Sequence, residues 1–126
     1  MSTDTYYKAV RLDGTSFHDP SFRWVHEDWT PADGPVRVEH PDYDPTWGAG
    51  GYLSVSTEPA DCTGAGWPCR LLVLEPVGEP PFTPEPADLP HKRAGRAFRV
   101  IGERPAHEAL GPCGREVVAQ IGRAHV

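Results

Sequence analysis

Apolar and polar residues alternate along this chain in short runs, and no stretch keeps a helical period over the roughly twelve residues of an ordinary helix. Residues 6–12 (YYKAVRL) set Tyr6, Lys8, Val10 and Leu12 on one side and Tyr7, Ala9 and Arg11 on the other, the pattern of a half-buried strand. Asp13-Gly14 is a strong turn pair, after which the pattern resumes at Ser16-Phe17 and over residues 22–25 (FRWV). Residues 36–39 (VRVE) alternate cleanly, and 52–57 (YLSVST) and 97–103 (AFRVIGE) read as further strands. Residues 70–74 (RLLVL) are almost continuously apolar, which predicts a strand covered on both faces and lying between 52–57 and 97–103.

The connections are equally legible. Residues 40–51 hold prolines and glycines without periodicity and predict a long loop. Glu58-Pro59-Ala60-Asp61 suits a short helical turn, because proline fits the first helical position. Six prolines within residues 76–90 remove ladder donors. They predict an extended strap over 76–95, pinned to the core by Phe82 and Leu89. One helical turn is expected over 105–110 and a helix starting near 112. The fold class is therefore mainly β or α+β: five to seven strands, long loops and one or two short helices in a single β-rich domain over residues 1–120.

Composition sharpens this picture by exclusion. A net charge of −6 argues against a protein that grips nucleic acid through phosphate neutralisation. No apolar run approaches the roughly 18 residues of a membrane span, and the polar start lacks the basic-then-apolar order of a signal peptide. The expected compartment is cytoplasmic, with a protein partner left open. The three cysteines, Cys62, Cys69 and Cys113, are odd in number, and Cys62 and Cys69 are spaced too widely for a structural zinc site. Reduced, metal-free thiols are expected. Arg outnumbers Lys ten to two, and Ala, Gly and Pro are abundant, as in proteins from GC-rich genomes. Residues 121–126 (IGRAHV) are what a common short-read sequencing adapter encodes, so native sequence is expected to run to Gln120 and to continue beyond this chain.

Two resemblances bear on function. The strings YYKAVRLDGTSFHD, GYLSVSTEPADC, WPCRLLVLEPVGE, LPHKRAGRAFRVIGE and ALGPCG resemble an uncharacterised actinobacterial family. In its members, a module of this kind looks to be followed by alanine-rich, charged helical repeats. That likeness covers nearly all of residues 6–118 and implies a non-catalytic binding or assembly module of a larger soluble protein. A second likeness is to the small rifampin ADP-ribosyltransferases. Tyr7-Lys8-Ala9-Val10, then Tyr52 to Asp61, Leu74-Glu75-Pro76-Val77-Gly78, Asp88-Leu89-Pro90 and Arg99 to Glu103 follow the order of that family's motifs. This resemblance implies NAD as cofactor, Tyr52 as the ring stacking on nicotinamide and Asp88 as the acid. The chain departs from that pattern in two ways. Lys8, which cannot accept a hydrogen bond, stands where the family has histidine. Residues 61–68 are also too short for the family's intervening helix.

The same resemblance makes Tyr7 and Lys8 candidate ligand contacts, and the residues themselves add His91, Arg93 and Arg96. His91, Arg93 and Arg96 belong to the single basic cluster of an acidic chain, which suits a phosphate or carboxylate. Ser54-Val55-Ser56-Thr57 resembles the Ser-Thr-Ser strand of arginine-dependent toxin transferases, but the Glu-x-Glu that accompanies it there is missing. Of the four tryptophans, Trp29 and Trp47 are expected as loop anchors and Trp67 as a cap on the core. His18-Asp19 and His26-Glu27 are acid–imidazole pairs with no third partner in sequence.

Overall fold

The computed structural model describes residues 4–46, 51–61, 66–83, 90–111 and 113–124. Six strands run in chain order: β1 (Tyr6–Val10), β2 (Val36–Glu39), β3 (Leu53–Ser56), β4 (Arg70–Pro76), β5 (Lys92–Gly95) and β6 (Ala97–Arg104). They form one antiparallel sheet in the order β2-β6-β4-β1-β3-β5. Single 3-10 turns occupy Pro31–Asp33, Pro59–Asp61 and Ala106–Leu110, and one helix, α1, spans Gly114–Ala124. This is the β-rich, α+β class that the sequence pattern predicts.

The order of strands hides a constraint. β5 lies at one edge and β6 beside the other, yet only Arg96 separates them in sequence. A flat sheet would hold them four strand spacings apart, about 19 Å. One intervening residue reaches about 7 Å. The sheet therefore rolls until β5 and β6 become two halves of one bent strand. A bulge assists: Val73 pairs with Gly102 but Leu74 pairs with Val100, so Ile101 is skipped. At the bend the backbone passes close to the core. A Cβ on Gly95 would lie 2.9 Å from Phe98 Cζ and 3.6 Å from Pro81 Cβ.

The inside of this roll is the core. Tyr6 and Val10 of β1, Leu53 and Val55 of β3, Leu72 and Leu74 of β4, and Phe98 and Val100 of β6 form one buried cluster. Trp24, Val25 and Trp29 close it from the loop after β1. Tyr6 meets Phe98 edge-on at 6.1 Å and Trp24 lies 6.3 Å from the same ring. Ala9 and Leu71 are buried on the outer side, where the turns at Pro59–Asp61 and Ala106–Leu110 approach β1 and β4. α1 rests on the second of these turns.

Several expectations need correction. β4 is fully buried at Leu71, Leu72 and Leu74, as its apolar run predicts, but its neighbours are β6 and β1, not β3. Hydrophobic continuity reports burial and says nothing about which strand lies alongside. Residues 22–25 make no strand; a single bridge joins Thr15 to Arg23, and Trp24 serves as a plug instead. The expected strap ends in a ladder, because β5 pairs with β3 from Leu53↔Gly95 to Ser56↔Lys92. Phe82 does not join the core cluster: its backbone pairs with Ala94 within the strap itself, at 2.8 and 2.9 Å, and its ring meets Tyr52, while Leu89 lies outside the described residues. Leu12 falls beyond β1 and is 55% exposed. Trp67 is no cap: it is 37% exposed.

The loop between β1 and β2 is built by short polar devices. Gly14 takes φ +87°, and a Cβ there would overlap the Val25 carbonyl oxygen, so the turn needs glycine. Asp13 Oδ1 accepts from Thr15 N–H at 3.0 Å and Thr15 Oγ1 at 2.6 Å. Thr30 and Asp33 form a reciprocal capping box, and Trp29 Nε1 donates to Gly34 O at 3.0 Å, so Trp29 is the loop anchor expected. Trp47 lies outside the described residues. What fastens this loop to the sheet is Arg70. Its Nη1 donates to the carbonyls of His26 (3.2 Å) and Glu27 (3.3 Å), and its Nη2 donates to Trp29 O (2.8 Å) and to Glu103 Oε1 (2.8 Å).

Two substitutions test this architecture. Gly95→Ala should lower stability by about 1–3 kcal/mol, because the fully buried Phe98 ring has no room to yield. Arg70→Leu should cost roughly 2–4 kcal/mol, since it strands Glu103 and three carbonyls together. Urea unfolding measures both; an Arg70→Leu midpoint equal to wild type would refute the clamp.

Candidate functional site

A half-open cleft of about 580 Å³ lies between the β1–β2 loop and the inner side of β1 and β3. Its size falls within the range of small-molecule sites. Lys8 from β1 and Lys92 from β5 reach it. Phe22, Trp24 and Tyr52 give it aromatic surfaces, and His18, Asp19, His40 and Asp42 bring imidazoles and carboxylates from two loops.

Each side chain has a local cause. Lys8 occupies the inward row of β1, between buried Tyr6 and Val10, where an apolar residue would be usual. Its Nζ lies 5.8 Å from the centroid of the Trp24 ring, a cation–π contact that offsets part of the cost of partial burial. Trp24 is held by Phe22 packing edge-on at 5.7 Å and by its N–H bonded to Gly14 O at 2.8 Å. Tyr52 immediately precedes β3 and meets Phe82 edge-on at 5.9 Å, so the strap sets the angle of the ring. Asp19 folds its own loop: Oδ1 accepts from Ser21 Oγ and from Ser21 N–H at 3.1 Å. Those bonds, the hydroxyl first, hold its carboxyl below the usual aspartate range. His40 Nδ1 accepts the Asp42 N–H at 3.1 Å.

A second hollow of about 440 Å³ shares His40, Pro41 and Asp42 with this cleft and adds Glu39, Tyr43 and Arg96. There Arg96 pairs with Glu39 at 3.0 Å and lies 5.8 Å from the Tyr43 ring.

The structure distributes the sequence-derived candidates over several places. Lys8 and Tyr52 share the cleft. Tyr7, one residue from Lys8, belongs to the opposite row of β1 and pairs with Ser56 and Val73. Arg93 bends back onto the carbonyls of Pro90 (3.0 Å) and Lys92 (2.8 Å). His91 Nδ1 shares a 3.1 Å hydrogen bond with Thr57 Oγ1. Arg96 lines the second hollow. Asp88 lies outside the described residues, as does Cys62. Cys69 is buried, which pushes its thiol up, and Cys113 is exposed. Among the described residues, no group of three or more His, Cys, Asp or Glu is placed to hold a metal ion.

Sequence reasoning missed His40, Asp42 and the partnership of His18-Asp19 with them. The missing signal is spatial: the loops carrying these residues meet only because the sheet rolls. Lys92 was legible as basic but not as a companion of Lys8.

Asp19 gives a pH prediction. A carboxyl whose folded pKa is depressed adds stability above its unfolded value of roughly 3.9, and that stability is lost as pH falls below it through the folded pKa. Asp13, held low by Thr15, and Asp44, held low by Thr46, act in the same direction. Stability should therefore drop on acidification below about pH 4. Ser21→Ala should return the Asp19 titration, followed by carboxyl-resolved NMR, toward the ordinary range; an unmoved titration would rule out the Ser21 bonds as the cause.

No helix among the described residues is long and apolar enough to cross a membrane. No family model, curated protein or solved structure matches this chain, so the reading of the cleft rests on its own geometry.

Proposed function

We propose that this chain is a non-catalytic binding module that takes a small ligand in the cleft between the β1–β2 loop and β1 and β3. The observation that carries the reading is Lys8, a cation set in an otherwise apolar inward row, facing a volume walled by aromatic rings. Placing a lysine there lowers the stability that a leucine would give, and local breaches of pattern of this kind gather at functional sites. The polar groups of the cleft suit binding better than proton transfer. Asp19 is held ionised by Ser21, which makes it a poor general acid at neutral pH. The resemblance to the actinobacterial family points the same way, toward a binding or assembly unit of a larger soluble bacterial protein.

A second reading has one specific support. Lys8 and Tyr52, placed by separate motifs of the ADP-ribosyltransferase likeness, line one cleft. Under it the chain is a diverged transferase-like domain that holds NAD. Tyr7 stands on the other face of β1, and Lys8 offers only donors where that family uses histidine.

Amide-resolved NMR with a mixed library of acidic, basic and neutral ring fragments tests the first reading. Hits should converge on Lys8, Trp24, Tyr52 and Leu53; hits that scatter over the surface, or none at all, would remove the cleft as the site. Incubation with NAD should release no nicotinamide above background. Turnover that vanishes in both Tyr52→Ala and Asp88→Ala would put the transferase reading first.

A further inference from the structure

We infer that the free edge of β2 pairs with β2 of a second copy of this chain, antiparallel and in a register centred on Val38. The sheet has two edges, β5 and β2. At β5 the strap covers the edge, since Phe82 and Ala94 exchange backbone bonds of 2.8 and 2.9 Å. β2 is left open. His40 N–H donates to Arg96 O at 2.9 Å, and the pairing of Val38 with Phe98 and Val36 with Val100 continues that alternation. Val36, Val38 and His40 therefore turn their backbone groups to β6, and Arg37 and Glu39 turn theirs outward. Among the described residues no backbone group meets them on that side.

The flanking sequence favours one self-pairing. Pro35 and Pro41 bracket the strand and have no N–H to donate. Centring the pair on Arg37 would set Glu39 against the partner's Pro35, and centring it on Glu39 would set Arg37 against the partner's Pro41. Centring it on Val38 sets Arg37 against the partner's Glu39 twice, and the outward groups then complete four N–H···O bonds about a two-fold axis. The charges agree with that register. On the outer face Glu75, Arg99 and Arg37 lie in one row across β4, β6 and β2. Arg99 is paired with Glu75 at 2.7 Å, so Arg37 stands directly opposite a second cation, an unfavourable neighbour in a sheet. Its own carboxylate contact is a long 3.5 Å approach to Glu39 Oε2, while Arg96 holds Oε1 of the same group at 3.0 Å. The partner's Glu39 would bring an acid to the open end of this row, at a cross-strand Cβ spacing of about 5.5 Å.

Two four-residue strands meeting edge to edge bury far less than the roughly 1,200 Å² of a stable interface, so the pairing is a weak one. A dissociation constant of roughly 0.1–1 mM is expected, and diffusion NMR of the whole chain over a concentration series spanning that range should show a monomer passing to a dimer. In a mixture of carbon-13-labelled and unlabelled chain, a filtered NOE should join the Val38 Hα protons of the two copies, whose Cα atoms lie about 4.5 Å apart in such a pair. Arg37→Glu gives the edge two acids and Glu39→Arg gives it two cations, so each variant alone should self-associate roughly tenfold or more weakly than wild type. Mixed one to one, the two variants should regain wild-type association, because every cross-strand pair is then opposite in charge. A chain that stays monomeric throughout the series would overturn the proposal. So would a dimer whose cross-copy NOEs fall outside β2, or a mixture no more associated than its two components.

Discussion

The one-residue link between β5 and β6 dictates most of this structure. Because Arg96 alone joins strands from opposite ends of the sheet order, the sheet must roll, and rolling gives a short chain an interior. Strands of four to eight residues could not otherwise enclose Phe98, Leu72, Leu74 and Val10 completely. The bend also explains why glycine precedes Arg96, since the Phe98 ring fills the place of a side chain at Gly95. The backbone at the corner remains bonded: His40 N–H donates to Arg96 O at 2.9 Å and Val77 N–H to Ala97 O at 3.0 Å. β2 and the end of β4 thus brace the bend from two sides.

A rolled sheet still needs its open side closed, and here the long β1–β2 loop takes the part that a helix has in many α+β folds. It contributes Trp24, Val25 and Trp29 to the core but has no ladder to hold it. Arg70 substitutes for a ladder by collecting three carbonyl acceptors from the loop, those of His26, Glu27 and Trp29, and tying them to Glu103 on β6. Its side chain is only 10% exposed, so the bonds form where water competes poorly. The far part of the same loop carries Ser16, His18, Asp19 and Phe22, and therefore the outer wall of the cleft. Core closure and the wall of the cleft are consequently two uses of one segment. A change that loosens the loop at Arg70 acts on both.

The parts of the fold that were legible in sequence are those fixed by local pattern. Alternation over Val36–Glu39 and the apolar run of β4 announce strands because burial on one face or two leaves a direct imprint on residue type. The Pro59–Asp61 turn and the start of α1 follow from proline and helix-end chemistry. Strand order left no such imprint. Nothing in residues 70–76 distinguishes β1 from β3 as a neighbour, and the proline-rich strap masked β5, four residues with a Lys-Arg start that read as a charged loop. At the site, Lys8 and Tyr52 stood out individually. Their convergence with His18, His40 and Lys92 depends on the roll of the sheet, which is a long-range property.

Lys8 is where these levels meet. Alternation in β1 assigns it to the same row as Tyr6 and Val10, and the fold keeps that assignment. A protein selected only for stability would carry an apolar residue there, because a partly buried ammonium forfeits hydration that a ring contact restores only in part. Trp24 sits beneath it, bonded by its backbone to Gly14 and packed by Phe22, so the compensating ring is itself held in place by the loop. The arrangement is a cation preorganised at the floor of a cleft. Its desolvation is met during folding in part by the Trp24 ring, so the loop that closes the core also holds the cation in place.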